Sequence, residues 1–377
     1  MGTPFNPTQQ TFLLSMLSNL TAFKVGPFPG HQLYASIQQK MALLPGMGSW
    51  QVTWGPAIHQ PVPIVGTPAN AIYVAQNRDD SQMVIAISGT NPLSATALYQ
   101  DFNVGTTAAW PYGHAPQSAA IASGTMSALR ALEGLKPELG LPGAGQTLTS
   151  YLSKVLQSAA GSLPVTVTGH SLGGTLSPVV GLWLKDTQGS WDPNTKAQLS
   201  VWASAPPTPG NVDFSSYYGD RLGSSTTRYW NSIDVIPHAW GTTTLAAVPL
   251  LYAPAIPKSE TIDLLVGWAI HHTNGNGYTP VLPNMPAQPG TIATGEIKPG
   301  DSAVFNFLMQ LFYQHYNAYF DFLGLSQYIS ILLGSSMTTG REETVRQLEA
   351  ALRLFTANMT AEAASHAVTL VSTHRKA

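Results

Sequence analysis

One short stretch in the middle of the chain restricts its fold more than any other. Residues 165–168 read Val-Thr-Val-Thr, which is typical of a buried strand, and residues 169–174 read Gly-His-Ser-Leu-Gly-Gly before a helical stretch. Strand, sharp turn and helix are the context that the pattern G-x-S-x-G requires, because glycines beside the serine remove Cβ atoms that would clash. Ser171 is therefore predicted to be a nucleophile at a strained corner. The alternative is a glycine-rich turn with an inert serine.

Composition excludes several classes of function. The 377 residues are 44% apolar and only 10% charged, so a large core can form and the surface tolerates contact with apolar material. The net charge of −2 argues against a nucleic-acid partner. No cysteine is present, which excludes disulfides and thiolate catalysis.

The N-terminal region does not predict a signal peptide or a membrane span. Thr11 to Leu20 is apolar, but no Lys or Arg precedes it and the first cation is Lys24, so the stretch is expected to form a short packed helix. No segment approaches the ~18 unbroken apolar residues of a transmembrane helix. The sequence does not indicate a compartment.

Strand-like and helical patterns alternate along the chain. Residues 71–75 and 83–87 predict a hairpin entering a central sheet, and further strands are expected at 199–203 and 226–231. Helices are expected at 117–135 and 146–160. This rhythm implies an α/β fold with a mostly parallel sheet and helices on both of its faces.

Several separate stretches resemble the class 3 (fungal-type) lipases of the α/β-hydrolase superfamily. The matching stretches are residues 167–174, 87–90 (Ile-Ser-Gly-Thr), 205–211 with Phe214, and 229–238. The resemblance spans about residues 70–325 and implies an α/β-hydrolase fold and a triacylglycerol lipase or carboxylesterase without a cofactor. Ser88 is a departure, because many members carry Arg there.

We expect a single domain over residues 1–377 with a catalytic core at about 70–325. The flanking parts are an N-terminal helical or irregular extension at 1–69 and an amphipathic helix at about 341–357. Residues 25–70 are rich in Pro and Gly and are expected to be irregular structure with short strands. Residues 239–300 interrupt the alternation of strand-like and helical stretches and are expected to be an insertion.

Asp234 is the predicted acid of a Ser-Asp-His triad. In α/β-hydrolases the acid follows the serine along the chain and the histidine follows the acid. Asp234 comes just after a predicted strand, and Pro237 stiffens its loop. The alternative is a loop-capping turn, and the rival carboxylates, in more polar stretches, are Asp213, Asp220 and Asp263.

His315 is the predicted general base. It lies among aromatic residues, and a Tyr follows four residues later, which is similar to the family's pattern. Aromatic neighbours exclude water and order an imidazole, although a histidine packed in a core gives the same pattern. The other candidates are His238, His271, His272, His366 and His374. His170 is expected to pack and to orient.

The oxyanion hole is predicted to use two backbone N–H groups. The Leu172 N–H belongs to the sharp turn around Ser171, residues 169–173, which we call the elbow. The Thr90 N–H follows the strand at 83–87. The resemblance makes Leu93 to Gln100 a lid that opens onto lipid at a lipid–water interface, followed by Asp101. An ordinary surface helix is the alternative for that segment.

Other readings use the same residues. A phospholipase or thioesterase would need the same triad, and a hydrolase fold can persist as a binding protein without turnover. No metal site is expected, because the ten histidines form no H-E-x-x-H pattern. The oligomeric state is left open.

Overall fold

The computed structural model describes residues 4–23, 28–60, 70–78, 82–89, 103–338, 340–359, 368 and 371. Its strands are β1 (Trp50–His59), β2 (Asn70–Asn77), β3 (Met83–Ile87), β4 (Thr107–Ala109), β5 (Ala120–Ala122), β6 (Leu163–His170), β7 (Ala197–Ser204), β8 (Gly210–Asn211), β9 (Thr226–Tyr229) and β10 (Tyr278–Thr279). Within these residues, six strands form one sheet in the order β1-β2-β3-β6-β7-β9. A smaller sheet has the order β10-β8-β5-β4.

The larger sheet is antiparallel at one edge and parallel elsewhere. β1 pairs with β2, and β2 with β3, in antiparallel register. β3, β6, β7 and β9 run parallel to one another. The predicted hairpin is confirmed by the antiparallel β2–β3 pair, and so is the mostly parallel sheet. The carboxyl ends of four parallel strands therefore share one edge, where α/β enzymes place their chemistry.

The helices cover the sheet on both faces. They are α1 (Pro7–Ser18), α2 (Pro29–Ala42), α3 (Ser123–Gly134), α4 (Leu148–Ser158), α5 (Leu172–Asp186), α6 (Gln188–Trp191), α7 (Val212–Leu222), α8 (Thr242–Ala247), α9 (Glu260–Thr273), α10 (Ala303–Phe312), α11 (Ala318–Phe322), α12 (Ile329–Thr338) and α13 (Arg341–Ala357). The amphipathic helix predicted at 341–357 is confirmed by α13. None of the helices in the described part of the chain has the length and apolar character that a membrane span requires.

Alternating side chains of the strands supply two separate cores. Tyr73 and Ala86 belong to a cluster with α1, α2 and the C-terminal helices. Ile72 and Ile87 belong to a second cluster with α3, α4 and α5. Successive side chains of a strand point to opposite faces, so a strand buried on both faces is apolar throughout. This explains the continuous apolar runs of β2 and β3.

The region before residue 70 is more regular than expected. The irregular structure with short strands predicted over residues 25–70 is wrong for α2 and β1, which span 14 and 10 residues. Pro29 occupies the start of α2, where its missing N–H costs nothing. Pro56 lies on the edge strand β1, beside irregularities in its pairing with β2. In this region a proline marks the start of a helix or a position on an edge strand, and not a loop.

Two other predictions are corrected in detail. The helix predicted at 117–135 begins at Ser123, because Ala120–Ala122 form β5 and pair with β4 and β8. The insertion at 239–300 holds α8, α9 and β10. The buried side chains of α9, such as Ile262 and Ile270, join the first core. The insertion is therefore partly core structure.

The close contact between α5 and β7 yields a stability prediction. A Cβ on Gly174 would meet the Ser204 carbonyl oxygen at 2.3 Å, whereas one on Gly189 of α6 meets nothing within 4 Å. We expect Gly174→Ala to lower the free energy of unfolding by about 1–3 kcal/mol. Gly189→Ala is the control and should be neutral or stabilising by about 0.5–1 kcal/mol. Urea unfolding measures both, and equal stabilities would contradict this packing.

Candidate active site

Ser171 occupies the corner between β6 and α5. Its backbone angles are φ 63° and ψ −123°, in the left-handed half of conformational space that residues with a Cβ avoid. Such a conformation costs about 1–3 kcal/mol and persists only where the surroundings impose it. The Ser171 N–H donates to the Ser204 carbonyl of β7 (3.0 Å), which ties the corner to the next strand. The strained corner predicted from the motif is present.

The motif glycines allow this corner to form. A Cβ on Gly169 would lie 2.3 Å from the backbone of Gly173, and one on Gly173 would lie 2.2 Å from the carbonyl oxygen of Ile87. Cβ atoms do not occur at such distances from backbone atoms, so both positions require glycine. The start of α5 can therefore sit directly against β3 and β6.

Asp234 lies at the same end of the sheet, beyond β9, and is completely buried. Its Oδ1 accepts the N–H of Ile236 at 3.0 Å. Its Oδ2 accepts from His315 Nδ1 and from the Tyr319 hydroxyl, each at 2.9 Å. Since a carboxylate can only accept, His315 carries its proton on Nδ1 when neutral, and its Nε2 can accept a proton.

The rival carboxylates lie elsewhere. Asp263 forms an ion pair with Lys258 at 2.9 Å. Asp213 and Asp220 lie on α7 in half-buried and exposed positions. Among the predicted acids, the one beside His315 is Asp234.

His315 lies in one turn of π-helix, Tyr313–Asn317, between α10 and α11. A π-turn carries one extra residue and reorients the side chains of an otherwise regular helix, often at functional sites. The His315 ring is buried, 4.8 Å from the rings of both His170 and Tyr316. Because His170 directly precedes Ser171, this contact brings the His315 ring to the elbow. The sequence shows the aromatic residues but gives no sign of the π-turn.

Tyr319 and Asn231 hold Asp234 in place through linked hydrogen bonds. The Tyr319 hydroxyl accepts the N–H of Asn231 at 3.1 Å while it donates to Asp234. Burial, and then the Asp234 charge, raise the pKa of Tyr319 well above its usual value, so the hydroxyl stays protonated. The Asn231 side chain donates to Gln314 at 2.8 Å, which ties the acid loop to the π-turn. The sequence indicates Tyr319 only as part of a pattern and gives no sign of the roles of Asn231 and Gln314.

His170 is buried and neutral. Its Nδ1 lies 3.1 Å from the Ser204 hydroxyl, which itself donates to the Gly169 carbonyl, so the imidazole Nδ1 is the donor in the first contact. Burial, with a smaller contribution from His315, lowers the pKa of His170 well below its usual value. A neutral His170 packs against His315 without adding a competing positive charge.

Several candidates lie away from this cluster or outside the described residues. His238 Nε2 lies 3.0 Å from the Ser232 carbonyl, and burial lowers the pKa of this histidine. His271 and His272 are exposed on α9. The candidates outside the described residues are Thr90, the segment Leu93 to Gln100, Asp101, His366 and His374.

The rest of the predicted oxyanion region is partly described. Leu172 is the first residue of α5 and is buried, so its N–H is one of those left free of helical bonds at a helix start. Ser88 accepts the Ala71 N–H through its hydroxyl at 2.8 Å. Within the described ranges, no group of three His, Asp or Glu side chains is arranged to hold a metal ion.

Comparisons with known proteins show which family and fold this chain resembles. Residues 84–244 match the model of the class 3 lipase family. The resemblance to the class 3 lipases is confirmed. A crystal structure of M37 lipase shares 26% sequence identity, covers 90% of this chain and 100% of its own, and superimposes with a TM-score of 0.78. These two likenesses support a lipolytic ester hydrolase and confirm the α/β-hydrolase fold.

Two fungal and yeast lipases are more distant in structure. A triacylglycerol lipase from Penicillium expansum is 13% identical with a TM-score of 0.43, covering 63% of this chain and 76% of its own. Lip2 lipase from Yarrowia lipolytica is 16% identical with a TM-score of 0.42, covering 62% and 75%. No curated protein sequence matches the chain significantly.

The bond between Tyr319 and Asp234 gives a prediction about turnover. Tyr319→Phe keeps the ring but removes a hydrogen bond to a buried carboxylate, so the His315–Asp234 pair loses support. We expect kcat on a soluble ester to fall about tenfold with little change in KM. Tyr218→Phe is the control, because it removes a buried hydroxyl bonded to Thr226 away from Asp234. Equal kcat in the two variants would contradict the role given to Tyr319.

Proposed function

We propose that this protein is a serine hydrolase that cleaves the carboxylic esters of lipids through a Ser171–His315–Asp234 triad. The observation that carries the proposal is the buried His315–Asp234 hydrogen bond of 2.9 Å beside the strained serine corner. The order of the three residues along the chain is the one α/β-hydrolases use.

The reaction begins with the Ser171 hydroxyl. Its oxygen attacks the ester carbonyl carbon while His315 Nε2 takes the proton, and Asp234 stabilises the imidazolium that results. Collapse of the tetrahedral intermediate breaks the bond to the alcohol, which leaves with the proton from His315. Water then attacks the acyl-enzyme with His315 again as base, and the carboxylic acid is released with Ser171 restored.

The negative charge on the substrate oxygen would be stabilised at the start of α5. The Leu172 N–H and the dipole of this helix favour an oxyanion there, and Thr90 is the second donor in the proposal. Strain at Ser171 contributes by holding the hydroxyl above the helix start before substrate arrives. No cofactor is needed for these steps.

A lipid ester is the substrate class that the comparisons favour. The family model describes lipases, and the M37 protein is a lipase by its name. Ser171 would attack a triacylglycerol or a simpler carboxylic ester in the same way. Phospholipase or thioesterase activity would use the same triad, so the alcohol or thiol that leaves must be found by assay.

The triad predicts the effect of single substitutions. Ser171→Ala and His315→Ala should each lower kcat on p-nitrophenyl esters about a thousandfold or more, because nucleophile and base act as a unit. The assay should cover acyl chains from C2 to C16, since the profile separates a lipase from a short-chain esterase.

His272→Ala is the matched control for this experiment. His272 is an exposed histidine on α9 whose Nδ1 contacts the Trp268 carbonyl, so its loss should leave kcat unchanged. If His272→Ala were inactive and His315→Ala active, the base would be wrongly assigned. A wild-type protein that neither cleaves the esters nor reacts with a fluorophosphonate at Ser171 would favour a binding protein instead.

A further inference from the structure

The N-terminal helix α1 is part of the core behind the candidate active site. Eight consecutive residues, Thr11 to Ser18, are buried, and the helix packs against β3 and β6. A surface helix buries one face only, so burial on all sides marks α1 as an interior element. These two strands end at Ile87 and His170, shortly before Gly89 and Ser171.

Asn19 is the C-cap of α1, and its side chain reaches the backbone just beyond β3. The side-chain Oδ1 of Asn19 accepts the N–H of Gly89 at 2.7 Å. Because the backbone N–H can only donate, the oxygen of this amide must be the atom that faces Gly89. The amide nitrogen faces Met16 Sδ at 3.9 Å, a weak acceptor. Asn19 thus provides the acceptor for a buried N–H that lies beyond the strand ladder.

Gly89 lies directly against the nucleophile corner. A Cβ at this position would come within 2.7 Å of the His170 carbonyl oxygen and 3.4 Å of Ser171 Cβ. The preceding residue is also held, since the Ser88 N–H donates to the Ala71 carbonyl at 2.9 Å. The chain leaving β3 is therefore fixed by hydrogen bonds at two successive residues.

We propose that Asn19 is a positioning residue for ester hydrolysis. It holds Gly89 against the backbone of His170 and Ser171 and thereby fixes the corner that presents the Ser171 hydroxyl to the ester. This role rests on the proposed function, in which Ser171 is the nucleophile. A nucleophile whose backbone shifts by about 1 Å is misaligned for attack, while ground-state binding is little affected. Asn19 therefore affects kcat rather than KM.

Two substitutions separate the hydrogen bond from the bulk of the side chain. Asn19→Leu is similar in size and has no acceptor, and we expect kcat per active site to fall about 10–100-fold with KM within about twofold. Asn19→Asp keeps an oxygen at the same reach and should recover most of that loss. The substrate is a soluble short-chain p-nitrophenyl ester, and active sites are counted with a fluorophosphonate.

Asn6→Ala provides the matched structural control. Asn6 caps the other end of α1 through the Gln9 N–H and lies on the surface. Its loss weakens the same helix without touching Gly89. We expect this variant to have a lower melting temperature and a wild-type kcat per titrated site.

The outcomes distinguish the two proposals. If Asn19→Leu turns over like wild type per titrated site, or if Asn6→Ala loses kcat equally, Asn19 only stabilises the fold and the inference is overturned. If wild type is neither active nor labelled at Ser171, the proposed function fails and the role of Asn19 fails with it. A kcat loss in Asn19→Leu, recovered in Asn19→Asp, supports both.

Discussion

The candidate site depends on a carboxylate that has no contact with water. Asp234 is fully buried, and burying an ionised carboxylate costs several kcal/mol unless hydrogen bonds replace its hydration. Its donors are Ile236 in its own loop and His315 and Tyr319, which lie 81 and 85 residues further along the chain. The acid is therefore stable only after the C-terminal helices have packed on the sheet, so the site and the fold form together.

The serine corner shows the same dependence on packing. The positive φ of Ser171 is unfavourable locally, and the contacts that impose it come from the close approach of α5 to β3, β6 and β7. Glycine at 169, 173 and 174 makes this approach possible. One strained residue is thus held by a large part of the core, and the strain keeps a hydroxyl on the rim of the sheet.

Features set by local sequence could be predicted, and those set by packing could not. The elbow, the β2–β3 hairpin and α13 follow from turn residues and periodicity within short windows. The π-turn around His315 leaves no such pattern, because an extra residue in a helix costs little once tertiary contacts select it. The hydrogen bond of Asn19 could not be predicted either, since its partner Gly89 is 70 residues away in the sequence. The strand at 120–122 continues into a helix, and only its pairing with β4 and β8 reveals it.

Segments outside the part of the chain that matches the family model complete the candidate site. The segment that matches the family model, residues 84–244, contains Ser171 and Asp234 but not His315 or Asn19. His315 reaches Asp234 from the C-terminal helices, and Asn19 reaches Gly89 from α1, so the Ser171 corner has support from both ends of the chain. Because both contacts are single hydrogen bonds at buried backbone or carboxylate groups, the proposed mechanism predicts that a small displacement of either segment lowers turnover before it unfolds the sheet.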